Sequence, residues 1–297
     1  MVGRTASLRG RWRGVLSATR GWSGKAPLLE RISWAWLAIV IVVAIGAEAI
    51  SPWDPQQIDL RNRLSPPVFF GGAWQHPLGT DEIGRDVFSR LVFSIRISLL
   101  VALVGVCVAT ILGTFLGFLA AHFGGWLDDA LMVLVDIQAT IPFFVLALGL
   151  IAILGTDLLV FLFVVGIYGW ERFARLARAM ALSAKERGWA QAVRGLGGSS
   201  WRLYWRHILP NVLGVIVVNA TLNFPETVLL ESGLSFLGLG VQPPMTSLGS
   251  MMGDGRNHLT GAWWIATFPG LAIFLTTLAV SIVGDRLQDR VNNPPHP

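Results

Sequence analysis

The amino-acid sequence predicts an all-α, polytopic membrane protein with six transmembrane helices and both termini in the cytoplasm. Three observations carry that expectation. Apolar runs recur along the chain at lengths that suit a bilayer, whose hydrocarbon core of about 30 Å takes about 20 helical residues. Charge is scarce: 14% of residues are Asp, Glu, Lys or Arg and 53% are hydrophobic, against about 25% charged in soluble domains, and mean hydropathy is +0.59. The basic residues gather in segments that flank apolar runs, as cytoplasmic segments of membrane proteins do. That distribution also argues against nucleic-acid binding, which the net charge of +5 would otherwise suggest. Cys107 is the sole cysteine, so no disulfide forms within the chain. Many of the 13 Trp residues stand near span ends, as interfacial belts require.

In chain order, residues 1–31 hold Arg4, Arg9, Arg11, Arg13, Arg20, Lys25 and Arg31 against Glu30 alone, and read as a cytoplasmic tail. The first transmembrane helix is expected within 32–50. Ala47-Glu48-Ala49 resembles a signal-peptide cleavage site, but the tail and the apolar run both exceed signal-peptide dimensions, which favours an uncleaved helix. Residues 51–90, rich in Pro and Gly, read as an ordered extracytoplasmic loop. At its end HPLGTDEIGRDVFSR (76–90) sets His76, Asp81, Glu82 and Asp86 at spacings that match no strong metal-ligand pattern. A helix start explains them better, with Thr80 or Asp81 as N-cap and early acids on the helix dipole.

A five-helix core is expected over 91–284. Its second span, about Ile95–Ala121, contains Gly113 and Gly117 in a G-x-x-x-G pair that lets backbones approach closely. The third runs from Asp128 to about Leu154 and includes Asp136, Gln138 and Pro142, the proline being expected to kink or break it. Asp136 is a candidate for the transport path, since ionisable residues near membrane helices face cavities or partners, or else it lies at the inner interface. The fourth span is expected at Leu158–Trp170. The fifth, Val212–Leu230, carries Asn219, Thr221, Asn223 and Glu226, with Glu231 just beyond, and such a polar ladder suits the interior of an assembly rather than lipid. A second outer loop, 232–262, precedes the sixth span, Trp263–Val283, and residues 285–297 form a cytoplasmic tail.

Between the fourth and fifth spans lies the basic stretch 171–210, where Arg172, Arg175, Arg178, Lys185, Arg187, Arg194, Arg202 and Arg206 face only Glu171 and Glu186. Ala190 and Ala192 would give a slim helix able to enter a groove on another protein, and Gly195, Gly197 and Gly198 would allow a sharp turn back to the membrane. The flanking arginines suit acids on that partner or membrane lipid phosphates. No catalytic constellation is present. The two lysines, Lys25 and Lys185, lie in no G-x-x-x-x-G-K-[ST] loop, so the chain cannot hold ATP phosphates that way.

Residues 188–210, GWAQAVRGLGGSSWRLYWRHILP, resemble the cytoplasmic coupling loop of ABC-importer permeases, whose pattern is EAA, three residues, Gly, nine residues, then I-x-L-P. Gln191, Ala192 and Val193 stand at the EAA positions, Gly197 at the Gly, and Leu209-Pro210 at the final pair. Gln191 replaces the Glu, Val193 the second Ala, and His207 the Ile. Together with HPLGTDEIGRDVFSR, SFLGLGVQPP (235–244), SLGSMMGDGR (247–256) and FPGLAIFLT (268–276), the chain resembles the C-type subunit of dipeptide/oligopeptide permeases over about 76–286. Nickel and glutathione importers share much of this pattern. The resemblance implies a type I importer permease fold and an ATP-driven importer. Its other parts would be a second homologous permease, two ATPase subunits or domains holding ATP and Mg, and an extracytoplasmic peptide-binding protein. This chain would bind no cofactor and no metal. The resemblance further implies that Ala190, Gln191, Ala192, Val193, Arg194, Leu196 and Gly197 couple to the ATPases, and that Asp136, Asn223, Glu226 and Glu231 are candidates to line the substrate path. Helix–helix hydrogen bonding is the competing role for the last three. A secondary transporter would instead predict two related halves with broken helices, and no such repeat is visible.

Overall fold

In a computed structural model the described residues are 28–188 and 203–292. The expected N-terminal tail before Leu28 and the stretch 189–202 lie outside them. Ten α-helices are ordered along these residues: α1 Leu28–Ile45, α2 Ala47–Ile50, α3 Val87–Phe123, α4 Gly125–Thr140, α5 Phe143–Leu154, α6 Leu158–Gly166, α7 Trp170–Lys185, α8 Leu209–Phe236, α9 Leu248–Gly255 and α10 Trp264–Asn292. Among the described residues four spans are long and apolar enough to cross a membrane: α1, α3, α8 with the turn before it, and α10. A fifth arises if α4 and α5, bent by 95° at their junction, count as one.

The expected third span is thus broken at Ile141-Pro142, where a proline cannot continue the helix ladder. The expected fourth span is corrected more strongly. Its helix, α6, is nine residues long, about 14 Å at helical rise and too short for a bilayer alone. The chain then turns at Gly169, whose φ of +82° favours glycine, and restarts as α7. Before α8, residues Tyr204–Ile208 form a wide π-type turn. Pro210 explains it, since it has no N–H to offer the carbonyl one α-turn back.

Helix α3 is the spine, with α7, α8, α6, α1 and α4 all packed on it. The G-x-x-x-G pair has an internal partner. A Cβ on Gly113 would stand 2.6 Å from Phe173 Cβ, and one on Gly117 would stand 3.0 Å from Ala177 Cβ; the α7 carbonyls of Trp170 and Ala174 are nearer still. The facing stripe of α7, Ala174, Ala177 and Ala181, is fully buried. Two backbones therefore meet through small residues, where attraction comes from close van der Waals contact.

The 76–90 segment folds into a charged knot rather than the helix start expected at Thr80 or Asp81. The N-cap of α3 is Asp86, which accepts from Ser89 N at 2.7 Å and pairs with His76 at 3.0 Å. Asp81, wholly buried, instead closes the turn before it, accepting from Ile83 N, Arg85 N, Arg85 Nε and Arg90 Nη1. Arg90, 3% exposed, spans from Asp81 to Asp254 at 2.9 Å, and so ties α3 to α9. Trp264 Nε1 donates to Thr80 O at 3.1 Å and fixes the start of α10 to the same knot. Nearby, hydrogen bonds from the Asn62 side chain and Arg61 N hold the Asp59 carboxyl below the usual carboxylate range.

Helix α1 is held at both ends. Glu30 pairs with Arg286 at 3.5 Å, Trp36 Nε1 donates to Thr276 Oγ1 at 3.2 Å, and Arg96 donates to the carbonyls of Ala44 and Ile45. A cation on the last carbonyls complements the helix dipole.

Candidate functional site: the polar faces of α7 and α8

Helix α7 is amphipathic, with its alanine stripe on α3 and arginines at every third position on other faces. Each of those arginines meets an acid from another helix. Arg178 forms a two-pronged pair with Asp128 of α4 at 2.5 and 2.6 Å. Arg175 approaches Asp136 of α4 at 3.3 Å, and Arg172 donates to Glu226 of α8 at 2.5 Å. Lys185, at the helix end, donates to the carbonyl of Ala121 near the end of α3. Gln138 links α4 to the α6–α7 junction, donating to Ile167 O at 2.8 Å and accepting from Trp170 Nε1 at 2.6 Å.

The Arg178–Asp128 pair has the best geometry of the three and the most burial. Removing Arg178 leaves Asp128 mostly buried without its two donors, so Arg178→Ala is expected to cost about 1–2 kcal/mol. A double-mutant cycle with Asp128→Ala in detergent checks this, and should show a coupling close to the single-site loss.

On α8 the polar residues separate by helical spacing. Asn223, Thr227, Glu231 and Ser235 recur every fourth residue on one face and are buried. Thr227 Oγ1 donates to Asn223 O, and Ser235 and Ser232 donate to Glu231 at 2.8 and 3.3 Å. Leu248 N and the Ser98 hydroxyl meet beside that acid at 3.0 Å, and the Ser98 and Ser247 hydroxyls also reach it. Glu231 is thus enclosed at the α3–α8–α9 junction.

Glu226 lies off that face and is half-exposed. It borders a cleft of about 80 Å³ with Arg172, Leu176, Asn219 and Asn223, and it accepts a second hydrogen bond from Tyr168 at 3.2 Å. Asn223, 4% exposed, has an Nδ2 with no hydrogen-bond partner. The structure therefore brings Asn223 and Glu226 together, encloses Glu231, and sets Asp136 apart on α4, where it is largely exposed beside Arg175. Sequence reasoning missed Arg172 and Tyr168 as members of this cleft. In the sequence Arg172 belongs to the basic stretch, and only the packing of α7 on α8 reveals its partner. The coupling candidates Ala190, Gln191, Ala192, Val193, Arg194, Leu196 and Gly197 lie outside the described residues.

The long apolar helices define a multi-pass membrane protein. Residues 113–293 match the family described as binding-protein-dependent transport system inner membrane component, and the chain belongs to that family. It is accordingly an inner-membrane permease component of an ABC transporter and not the ATPase. It is 38% identical, over 85% of this chain and 84% of the relative, to a probable D,D-dipeptide transport system permease protein of Escherichia coli (strain K12). It is 36% identical, over 86% and 85%, to a di/tripeptide transport system permease protein of Pseudomonas aeruginosa. It is 35% identical, over 86% and 84%, to a glutathione transport system permease protein of Pectobacterium atrosepticum.

Proposed function

We propose that this chain is the permease subunit of an ATP-driven importer for di- or oligopeptides, supplying half of the translocation path. It crosses the membrane six times with both termini in the cytoplasm. The bent pair α4–α5 makes the third span, and α6 with α7 makes the fourth. The observation that carries the reading is continuity. Helix α7, fixed to α3 by its alanine face and to α4 and α8 by its arginines, leads directly into the stretch that resembles a coupling loop. Movement of residues 188–210 by ATPases in the cytoplasm would then reach the cleft at Glu226 through one rigid helix. The partners are a second homologous permease, two ATPase subunits or domains that bind ATP and Mg, and an extracytoplasmic binding protein that delivers peptide. The names of the dipeptide and di/tripeptide relatives support the substrate class. A second reading, glutathione, is favoured by the relative of that name, and nickel is the third substrate of similar importers.

The test is to purify the chain with its natural partners and measure ATP hydrolysis with binding protein loaded with peptide, glutathione or nickel. Stimulation by peptide alone supports the first reading, by glutathione alone the second, and none by any peptide overturns the substrate class. The docking role has its own test. Gly197→Arg is expected to leave membrane insertion intact and to abolish coupled uptake, since a long charged side chain replaces the glycine of the coupling-loop pattern. Wild-type uptake by that variant refutes it.

A further inference from the structure

We propose that segment 64–75 of the first outer loop dips back into the outer leaflet of the bilayer and seats Phe69, Phe70 and Trp74 at the boundary of headgroups and acyl chains. The partner is a lipid surface, met here by a loop and not only by the spans. The orientation given above names the leaflet, and the contact stands without the substrate reading.

Three observations lead there. First, the loop changes composition abruptly. Between Arg63 and His76 no residue is charged, whereas Asp59, Arg61 and Arg63 precede this run and Asp81, Glu82 and Arg85 follow it. Phe69, Phe70 and Trp74 are 67%, 61% and 84% exposed, and contiguous exposed apolar surface marks a contact with protein or membrane. The display is built into the backbone. Val68–Phe70 form a short helical turn closed by Gly71 at φ +90°, Val68 N donates to Pro77 O at 3.2 Å, and Gly72 N donates to Pro67 O at 3.1 Å. Second, the segment stands at the level of the membrane boundary. From Trp264 to Gly284 α10 holds no charged residue, and Asp285 is the first. That length of helix is about 30 Å, the thickness of the hydrocarbon core, so Trp264 stands at one edge of it. The segment is tied to that edge. Phe70 meets Trp263 edge to face, with ring centroids 5.3 Å apart, and a Cβ on Gly79 would stand 2.8 Å from Trp264 Nε1 and 3.1 Å from Pro67 N.

Third, the patch continues a face that suits hydrocarbon. Leu271, Phe274 and Leu278 are exposed along α10, at the spacing of one helix face. Trp263, just before the helix, precedes Phe274 by about three turns and so heads that face. Phe70 packs on Trp263, and Phe69 packs edge-on against Phe70 at 6.3 Å, which carries the apolar strip from the span onto the loop. These features choose lipid over a soluble partner. A protein interface is rimmed by polar and charged groups, and this run brings no charge. Aromatic rings concentrate at the membrane boundary, where the ring is sheltered and the indole N–H keeps a wet neighbour. With no charge to read a headgroup, the contact is indifferent to lipid charge.

The test puts the photoreactive residue p-benzoylphenylalanine in place of Phe69, of Trp74 or, as the control, of Gln57, which is exposed between Asp54 and Asp59. The full chain, assembled with its natural partners, is irradiated in vesicles of phosphatidylcholine, with or without phosphatidylglycerol, and mass spectrometry reads what each position has joined. Phospholipid adducts at positions 69 and 74 are expected at about five times the yield at position 57 or more, because only side chains at the headgroup–acyl boundary meet lipid continuously. The yields should be equal in the two kinds of vesicle, since an uncharged run gains nothing from anionic lipid. Adducts chiefly to another permease or to the binding protein overturn the proposal. So does the absence of any adduct at both positions, the mark of a loop in water. A lipid yield that rises with phosphatidylglycerol content overturns it as well.

Discussion

Replacing Gly113 by leucine is expected to destabilise the folded chain severely. Its first added atom would already stand 2.6 Å from Phe173 Cβ and 3.0 Å from Ala174 N, inside any real van der Waals contact. The obstacles are main-chain and Cβ atoms of a packed helix, which cannot rotate away, so α7 must retreat from α3. Overpacking of a core costs about 1–3 kcal/mol, and here the α3–α7 crossing and the arginine pairs that hang on it shift together. We expect a loss of at least about 3 kcal/mol on that basis. Thermal unfolding of the detergent-purified chain would read it. Gly149→Ala is the control, because nothing stands within 4 Å of a Cβ there. In a helix that change stabilises by about 0.5–1 kcal/mol, and an equal loss in both variants would refute the steric account.

Arg90→Met carries the other large effect. The methionine keeps most of the volume but removes the charge that Asp81 and Asp254 share. Breaking a buried pair costs about 3–5 kcal/mol, chiefly because an uncompensated charge stays behind. Asp81 retains Arg85 at 2.6 Å, which points to the lower end, about 3 kcal/mol. Asp254 is partly exposed, so Asp254→Asn alone should cost under about 1 kcal/mol. The two melting curves, measured side by side, decide it. A mild Arg90→Met would mean that the knot is held by its backbone hydrogen bonds and not by its charges.

These two sites also mark what the sequence made legible. The G-x-x-x-G spacing announced a close helix crossing, because glycine's missing side chain is a local fact. It did not name the opposite helix, since the alanine stripe of α7 is separated from it by some 60 residues and the spacing alone does not pair them. The 76–90 acids signal a helix start, and a capped start exists, but at Asp86. Thr80, Asp81 and Asp86 are all chemically fit to cap, and the choice is made by Arg85 and Arg90 closing on Asp81. Pro142 signalled the break in α4–α5. The shortness of α6 was hidden, because Leu158–Trp170 is apolar throughout and only the left-handed turn at Gly169 divides it.

In the cleft, the polar ladder of α8 was visible as a list but not as faces. The fourfold spacing of Asn223, Thr227, Glu231 and Ser235 separates the enclosed acid from Glu226, and that signal lay in the sequence. Arg172 had no such signal. Its role depends on how two helices more than 50 residues apart lie against each other.

The charged knot has a consequence for how the protein is made. Its parts come from residues 76–90 and from Asp254 and Trp264, which leave the ribosome far apart in time. Until the last third of the chain has been synthesised, Arg90 lacks one carboxylate and Thr80 lacks the indole. An interrupted polypeptide would present an unfinished charge cluster just ahead of the 37-residue helix α3.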